Sequence, residues 1–124
     1  MEPDRLVFGG DALAYDETLA RRVREALADD PAITEKKMFG GIAFLLRGLM
    51  FVGVTDTALM ARVGKANHAD SLRRKHVREM DFTGKPMQGY VFVDSPGIRT
   101  EAQLRFWLDR CRGFVLTLPP KKSK

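Results

Sequence analysis

The chain has 124 residues, of which 44% are hydrophobic and 30% are charged, a composition typical of one globular domain with a single core. A single cysteine excludes an intramolecular disulfide and favours a cytoplasmic location. The apolar runs are far shorter than a membrane-spanning helix requires, and the N-terminus lacks the apolar region of a signal peptide, so we expect no membrane partner. The net charge of +5 leaves nucleic acid open as a partner.

The first predicted element is a helix. Residues 1–13 have no hydrophobic period, and we expect a flexible N-terminal extension there. From Tyr15 onward, apolar side chains recur every four residues, through Leu19 and Val23, as on one face of an amphipathic helix. Asp16 is placed to cap the helix, and Asp30 followed by proline ends it.

The stretch KKMFGGIAFLLRGLMFVGV predicts the start of a β-meander. Two strands, Phe39–Leu46 and Leu49–Val54, are separated by Arg47 and Gly48, which are typical of a tight hairpin turn. A third strand, Ala58–Gly64, follows a short turn. Gly40 and Gly41 lead into a strand and no Lys-Ser/Thr follows, so they indicate a bulge or a close backbone approach rather than a phosphate-binding loop.

The second half of the chain predicts a short helix, two strands and a final helix. The helix candidate covers 65–75, the strands cover 77–82 and 90–94, and a turn-rich loop spans 83–89. Thr100 and Gln103 form a predicted capping box for the last helix. The predicted fold class is α+β, in the order α-β(3)-α-β(2)-α with an antiparallel sheet. We place one domain at 14–118 and a flexible basic tail at 119–124.

The predicted strands are apolar on both alternating faces, although an antiparallel sheet usually exposes one face to water. Helices can cover one face, and a second copy of the chain is the simplest cover for the other. We therefore predict a homodimer, with Met50, Phe51 and Val52 as the candidate dimer face.

Several blocks resemble the TfoX/Sxy family of bacteria, in its N-terminal domain. These are KKMFGGIAFLLRG, LMARVG, HVREMDFTGKPMQGYVFVD and a tryptophan-bearing last helix, and the similarity runs from about Ala14 to Pro120. The resemblance implies a fold similar to secretion chaperones and other small dimeric α+β domains. It also implies a relation to regulators of natural competence for DNA uptake, in which a C-terminal domain follows. Here we expect a stand-alone N-terminal-type domain, and the resemblance supplies no catalytic residues.

The residues provide no catalytic or metal-binding set, so we predict a non-enzymatic protein without a cofactor. Cys111 lies on the apolar stripe of the last helix and is interpreted as a core residue. His68 and His76 do not have the spacing of metal ligands. Asp81 and Asp94, beside neighbouring strands, are interpreted as turn and edge residues.

Two function hypotheses remain. The first is a dimeric regulatory or protein-interaction module, whose candidate contacts to an unidentified protein partner are Lys85, Pro86 and Met87. The second is a nucleic-acid-associated protein, in which basic side chains neutralise phosphates. Its candidate contacts are Arg73, Arg74, Lys75, Arg78, Lys121 and Lys122.

Overall fold

The computed structural model describes residues 15–38, 40–81 and 86–119 and contains three helices and six strands. In chain order they are α1 (Glu17–Ala26), β1 (Ile33–Met38), β2 (Gly41–Leu46), β3 (Leu49–Thr55), β4 (Ala58–Arg62), α2 (His68–Leu72), β5 (Val77–Asp81), β6 (Pro86–Val93) and α3 (Glu101–Val115). Short 3₁₀ turns, Lys65–Asn67 and Ser95–Ile98, precede α2 and α3. The predicted extension at 1–13 lies outside the described residues, as does the tail from residue 120 onward.

The six strands form one antiparallel sheet in the order β1-β2-β3-β4-β6-β5. The predicted α+β class with three helices and an antiparallel sheet is confirmed. The sheet has one strand more than predicted, because β1 pairs with β2 along its whole length, from Ile33 opposite Leu46 to Met38 opposite Gly41. The two edges of the sheet are β1 and β5.

The two long helices begin where the sequence predicted. Asp16 caps α1 by accepting hydrogen bonds from the backbone N–H groups of Thr18 (2.9 Å) and Leu19 (3.2 Å). Thr100 and Gln103 form the predicted capping box of α3, in which each side chain accepts a hydrogen bond from the other residue's backbone N–H. These caps satisfy N–H groups that the helices cannot bond internally, so they fix both starting points.

One face of the sheet and the apolar stripes of α1 and α3 enclose the core. Residues that pair across neighbouring strands point to the same face of the sheet, and this face supplies the strand side chains of the core. The helices contribute apolar residues at helical spacing. Fully buried members include Phe44, Val52, Leu59, Val91, Val23, Leu108 and Cys111. Burying each large apolar side chain stabilises the fold by about 1.5–3 kcal/mol. The predicted placement of Cys111 in the core is confirmed.

Arg47 and Gly48 form the predicted hairpin turn between β2 and β3. Both residues have positive φ, 53° and 86°, as a two-residue hairpin turn requires. The proposed close approach at Gly41 is confirmed, since a Cβ there would lie 2.2 Å from the carbonyl oxygen of Val54 on β3. This glycine therefore serves strand pairing.

A β-bulge in β3 changes which side chains reach the core. Phe44 lies opposite Val52 and Leu45 lies opposite Met50, so Phe51 is an extra residue on β3. The bulge interrupts the alternation of faces, and the consecutive residues Phe51 and Val52 are both fully buried in the core cluster. Arg62 on β4 supports the bulge by donating a 3.1 Å hydrogen bond to the carbonyl oxygen of Met50.

The segment predicted as the loop 83–89 is largely part of a strand. β6 starts at Pro86, which pairs with Asp81 at the end of β5. Proline is tolerated there because it is the first residue of the strand. No helix in the described ranges has the length and apolar character needed to cross a membrane.

Candidate interaction surfaces

The sheet face opposite the core has an apolar centre with basic residues at its edges. Register pairs place one row of residues across all six strands on this face, which we call the open face: Lys36, Ala43, Gly53, Met60, Phe92 and Arg78. Leu45 and Met50 form a second, parallel pair. Ala43 and Met60 are almost fully buried, yet neither belongs to the core cluster.

The middle of the open face is buried within the single chain: Ala43 is 3% exposed, Met60 is 4% exposed and Gly53 is buried. Met60 extends its terminal methyl group over Gly53, only 3.3 Å from where a Cβ would lie. Leu45, Met50 and Phe92 are half-buried within one chain, so each has apolar surface left to bury against a partner. Within this row the charges lie at the two ends, Lys36 on β1 and Arg78 on β5, and in the next row Arg62 of the interior strand β4 lies opposite Tyr90. Half-buried apolar side chains with charges at the rim are typical of a protein–protein contact surface.

Two members of the predicted dimer face require correction. Phe51 and Val52 are fully buried inside the single chain, because the bulge turns both side chains toward the core. They have no surface to offer a second copy. Met50 is the member of the predicted set that lies on the open face, opposite Leu45.

The residues predicted to contact a protein partner do not lie in the predicted loop where the structure describes them. Lys85 lies outside the described residues. Pro86 and Met87 belong to β6 rather than to a loop, and Met87 is half-buried. Pro86 lies opposite Asp81 of β5, after an irregularity in the register between Glu79 and Asp81.

The predicted basic residues divide into two places. Arg73, Arg74 and Lys75 follow one another at the end of α2 and are exposed. Arg78 lies on β5, where its guanidinium stacks over Phe92 at 4.7 Å and forms an ion pair with Asp94 at 3.0 Å. Lys121 and Lys122 lie outside the described residues. The structure thus brings three of the predicted basic residues together and places Arg78 on the open face.

Asp70 is the centre of a charge cluster between α2 and α3. Its carboxylate lies 2.9 Å from Arg110, 3.6 Å from Arg74 and 3.8 Å from Arg73. The hydrogen bond from Arg110 is the main reason that the pKa of Asp70 lies below its ordinary value. Arg110 also donates a 2.9 Å hydrogen bond to the hydroxyl of the buried Ser71. Three guanidinium groups share one carboxylate, which leaves the cluster positively charged.

An open pocket of about 360 Å³ adjoins this cluster, and we call it the α2–α3 pocket. Its lining includes Arg74, Lys75 and His76 together with Phe106 and Trp107 of α3. The guanidinium of Arg74 lies over the Phe106 ring, 4.1 Å from its centroid, and Arg110 lies 4.8 Å from the same centroid. Sequence reasoning identified Arg74 and Lys75 but missed the rest of the pocket. The spacing of Phe106 and Arg110, four residues apart on a helix, was the available signal.

The backbone around the α2–α3 pocket is unusual at one residue. His76 adopts the left-handed conformation, with φ of 69°. The 3₁₀ turn Ser95–Ile98 packs closely against His76. A Cβ on Gly97 of this turn would lie 3.2 Å from the Cβ of His76 and 2.9 Å from a methyl group of Val93. Gly97 thus packs directly against the loop that carries Lys75 and His76.

A second pocket, of about 380 Å³, lies where the end of α1 meets α3. Its lining mixes acids, Asp29, Asp30 and Asp109, with Arg105 and Arg112. Asp30 and Arg112 form an ion pair, and Arg105 donates a 3.4 Å hydrogen bond to the carbonyl oxygen of Ala26. These contacts tie the end of α1 to α3.

The remaining candidate residues have structural partners. His68 accepts a 2.9 Å hydrogen bond from the N–H of Gly89 through Nδ1, which links α2 to β6. Burial raises the pKa of the Cys111 thiol, so this side chain stays protonated and unreactive in the fold. Over residues 15–38, 40–81 and 86–119, no group of three or more His, Cys, Asp or Glu side chains is arranged to hold a metal ion.

Comparison with known proteins gives one family. The family model described as the TfoX N-terminal domain matches residues 25–114. The match begins within α1 and ends near the end of α3, so it includes every strand of the sheet. Searches of curated proteins and of solved structures gave no significant match.

Proposed function

Because the chain belongs to the TfoX N-terminal domain family, we propose that it is a non-enzymatic regulatory module, related to competence regulators, that acts in the cytoplasm as a homodimer through protein–protein contacts. The family is not a known enzyme family. The observation that carries the proposal is the open face, an apolar surface on the side of the sheet opposite α1 and α3.

The chemistry of the open face favours a second copy of the chain as its partner. Leu45, Met50 and Phe92 are half-buried in the single chain and provide the apolar area for contact, while the small residues Gly53 and Ala43 add little bulk between two sheets. Face-to-face packing of two sheets at about 10 Å buries such a surface on both sides. A two-fold axis allows the same patch to serve both subunits.

Sedimentation velocity and multi-angle light scattering test the dimer directly. We expect a wild-type mass of twice the 14.0 kDa chain, and monomers for Leu45→Glu and Met50→Glu, because each places a charge in the middle of the interface. Leu116→Glu is the matched control, since Leu116 is 49% exposed and caps the end of α3, the helix that packs on the core side of the sheet. Its mass should remain that of the dimer.

The outcomes separate the alternatives. A monomeric wild-type chain would contradict the homodimer and leave the open face to a different protein. A dimer that survives Leu45→Glu and Met50→Glu but is lost in Leu116→Glu would move the interface to α3. Circular dichroism of each variant establishes that the fold is intact.

A second proposal, association with nucleic acid, is supported by the consecutive exposed cations Arg73, Arg74 and Lys75. Fluorescence anisotropy of labelled duplex and single-stranded DNA at several salt concentrations tests it. Arg73→Gln should weaken binding to every sequence alike and lower the salt slope by about 1. A chain ending at Leu118 tests Lys121 and Lys122. Binding that is absent at physiological salt, or unchanged in Arg73→Gln, contradicts a role for this patch.

A further inference from the structure

We propose that the α2–α3 pocket binds a small amphipathic anion in which a phosphate group is joined to a planar ring, the chemistry of a mononucleotide. This inference goes beyond the interaction module, because it assigns a ligand to the helical side of the molecule.

The cationic side of the pocket fits the phosphate. Arg74, Lys75 and His76 present three nitrogen-bearing side chains from one loop, and the described lining contains no carboxylate. The nearby carboxylate, Asp70, is shared among three arginines and lies closer to Arg110 than to Arg74. The pocket therefore has an excess of positive charge, and an anion entering it gains charge-assisted hydrogen bonds.

The aromatic side of the pocket fits a ring. Phe106 and Trp107 also line the pocket and meet edge to face, with centroids 5.0 Å apart. Trp107 is 3% exposed and Phe106 is half-buried, so Phe106 is the more accessible ring. Arg74 is already positioned over Phe106, so its guanidinium plane is available to stack against a planar ligand as well as to pair with an anion. A ligand with both an anionic and a planar part contacts the cations and the aromatic ring of the lining, whereas inorganic phosphate contacts only the cations.

Size and rigidity are consistent with a ligand of this kind. The pocket volume of about 360 Å³ falls within the range of about 300–1,000 Å³ typical of small-molecule sites. The left-handed backbone of His76, packed against Gly97, holds the cationic wall in place before any ligand arrives. A preformed wall reduces the entropy lost on binding.

The only tryptophan of the chain, Trp107, lines the pocket and provides a local signal. The full-length protein is excited at the red edge of tryptophan absorption and titrated with adenosine monophosphate, adenosine or inorganic phosphate. We expect a saturable change with the nucleotide, and clearly weaker binding of adenosine and of phosphate. A nucleotide titration without a saturable change below millimolar concentration overturns the proposal, as does equal affinity for adenosine.

Adjacent arginines supply a matched pair of variants. Arg74→Gln and Lys75→Gln should each weaken nucleotide binding about tenfold, because each removes a cation from the pocket wall. Arg73→Gln removes the same charge one residue away, on a side chain that does not line the pocket, and should leave the affinity nearly unchanged. Equal weakening by Arg73→Gln and Arg74→Gln would reveal a general charge effect and overturn the proposal. Lys75 is exposed, so Lys75→Gln keeps the test valid if Arg74→Gln unfolds.

Discussion

Gly64 occupies a position that no other residue fits. It follows β4 with φ of 87°, and a Cβ there would lie 2.4 Å from the ring of Phe114 on α3. Both the left-handed backbone and the ring oppose a side chain. We expect Gly64→Ala to lower the free energy of unfolding by about 1–3 kcal/mol, measured by urea denaturation.

Gly113 provides the opposite case within α3. Nothing lies within 4 Å of a Cβ built on it, and its φ is not positive. Gly113→Ala should raise the free energy of unfolding by about 0.5–1 kcal/mol, since alanine loses less backbone entropy in a helix. If Gly64→Ala and Gly113→Ala changed the free energy of unfolding equally, the contact with Phe114 and the left-handed backbone would not be what excludes a side chain at Gly64.

Asp70 makes the stability of the α2–α3 contact depend on acid pH. Its pKa is lowered in the fold, first by the hydrogen bond from Arg110 and then by the charges of Arg110, Arg74 and Arg73. A lowered carboxyl pKa contributes stability above the ordinary value of 3.8, and that contribution is lost as the pH falls from there through the folded value. The contribution should therefore be constant near neutral pH.

Carbon-13 NMR titration of the Asp70 carboxyl group checks this. Its midpoint in the wild-type protein should lie below 3.8, and Arg110→Gln should raise it more than Arg73→Gln does, because Arg110 forms the direct hydrogen bond. A larger effect of Arg73→Gln would show that the arginines are ordered differently around the carboxylate in solution.

At the scale of elements, the strands differ in how many neighbours protect them. β1 pairs only with β2, and its residues Thr34 to Lys37 are exposed, whereas β3 lies between two strands with most of its residues buried. We expect backbone amides of β1 to exchange with deuterium much faster than those of β3, because edge strands open at low free-energy cost. Hydrogen exchange followed by mass spectrometry or NMR measures the exchange rates of the β1 and β3 amides separately. Protection of β1 equal to that of β3 would indicate that its edge is paired with another chain.

The same contrast explains which elements could be predicted from sequence. α1 and α3 combine an apolar stripe with a capping residue, and β2 and β3 combine bulky side chains with the turn at Arg47 and Gly48, so each carries a local signal. β1 has exposed charges at Glu35, Lys36 and Lys37, because an edge strand at this position buries little. Its strand conformation depends on pairing with β2, which a local pattern does not reveal.

The bulge and the pocket depend on contacts between distant residues. Nothing in the sequence LMFVGV distinguishes an alternating strand from one in which Phe51 and Val52 share a face, since the difference is the register with β2. The pocket joins Arg74 to Phe106, which are far apart in the chain and meet only when α2 packs beside α3. Composition and periodicity predicted the basic residues, and tertiary packing supplied their aromatic partners.

At the scale of the whole molecule, the two proposed surfaces lie on opposite sides of the sheet. The open face is opposite the layer of α1 and α3, and the α2–α3 pocket lies within the helical layer. Dimerisation through the open face leaves the pocket accessible. The Leu45→Glu variant should therefore be monomeric and still bind the nucleotide, as measured by the fluorescence of Trp107.

The dimer also has a thermodynamic signature. If two sheets pack on their open faces, unfolding is coupled to dissociation, and the urea midpoint rises with protein concentration. Leu45→Glu should unfold at a lower midpoint that does not change with concentration, because the monomer has lost the intersubunit contact of Leu45, Met50 and Phe92. Trp107 fluorescence, recorded over a hundredfold range of concentration, follows both proteins through unfolding. A wild-type midpoint independent of concentration would exclude coupled dissociation, and the apolar centre of the open face would then be stabilised within the single chain.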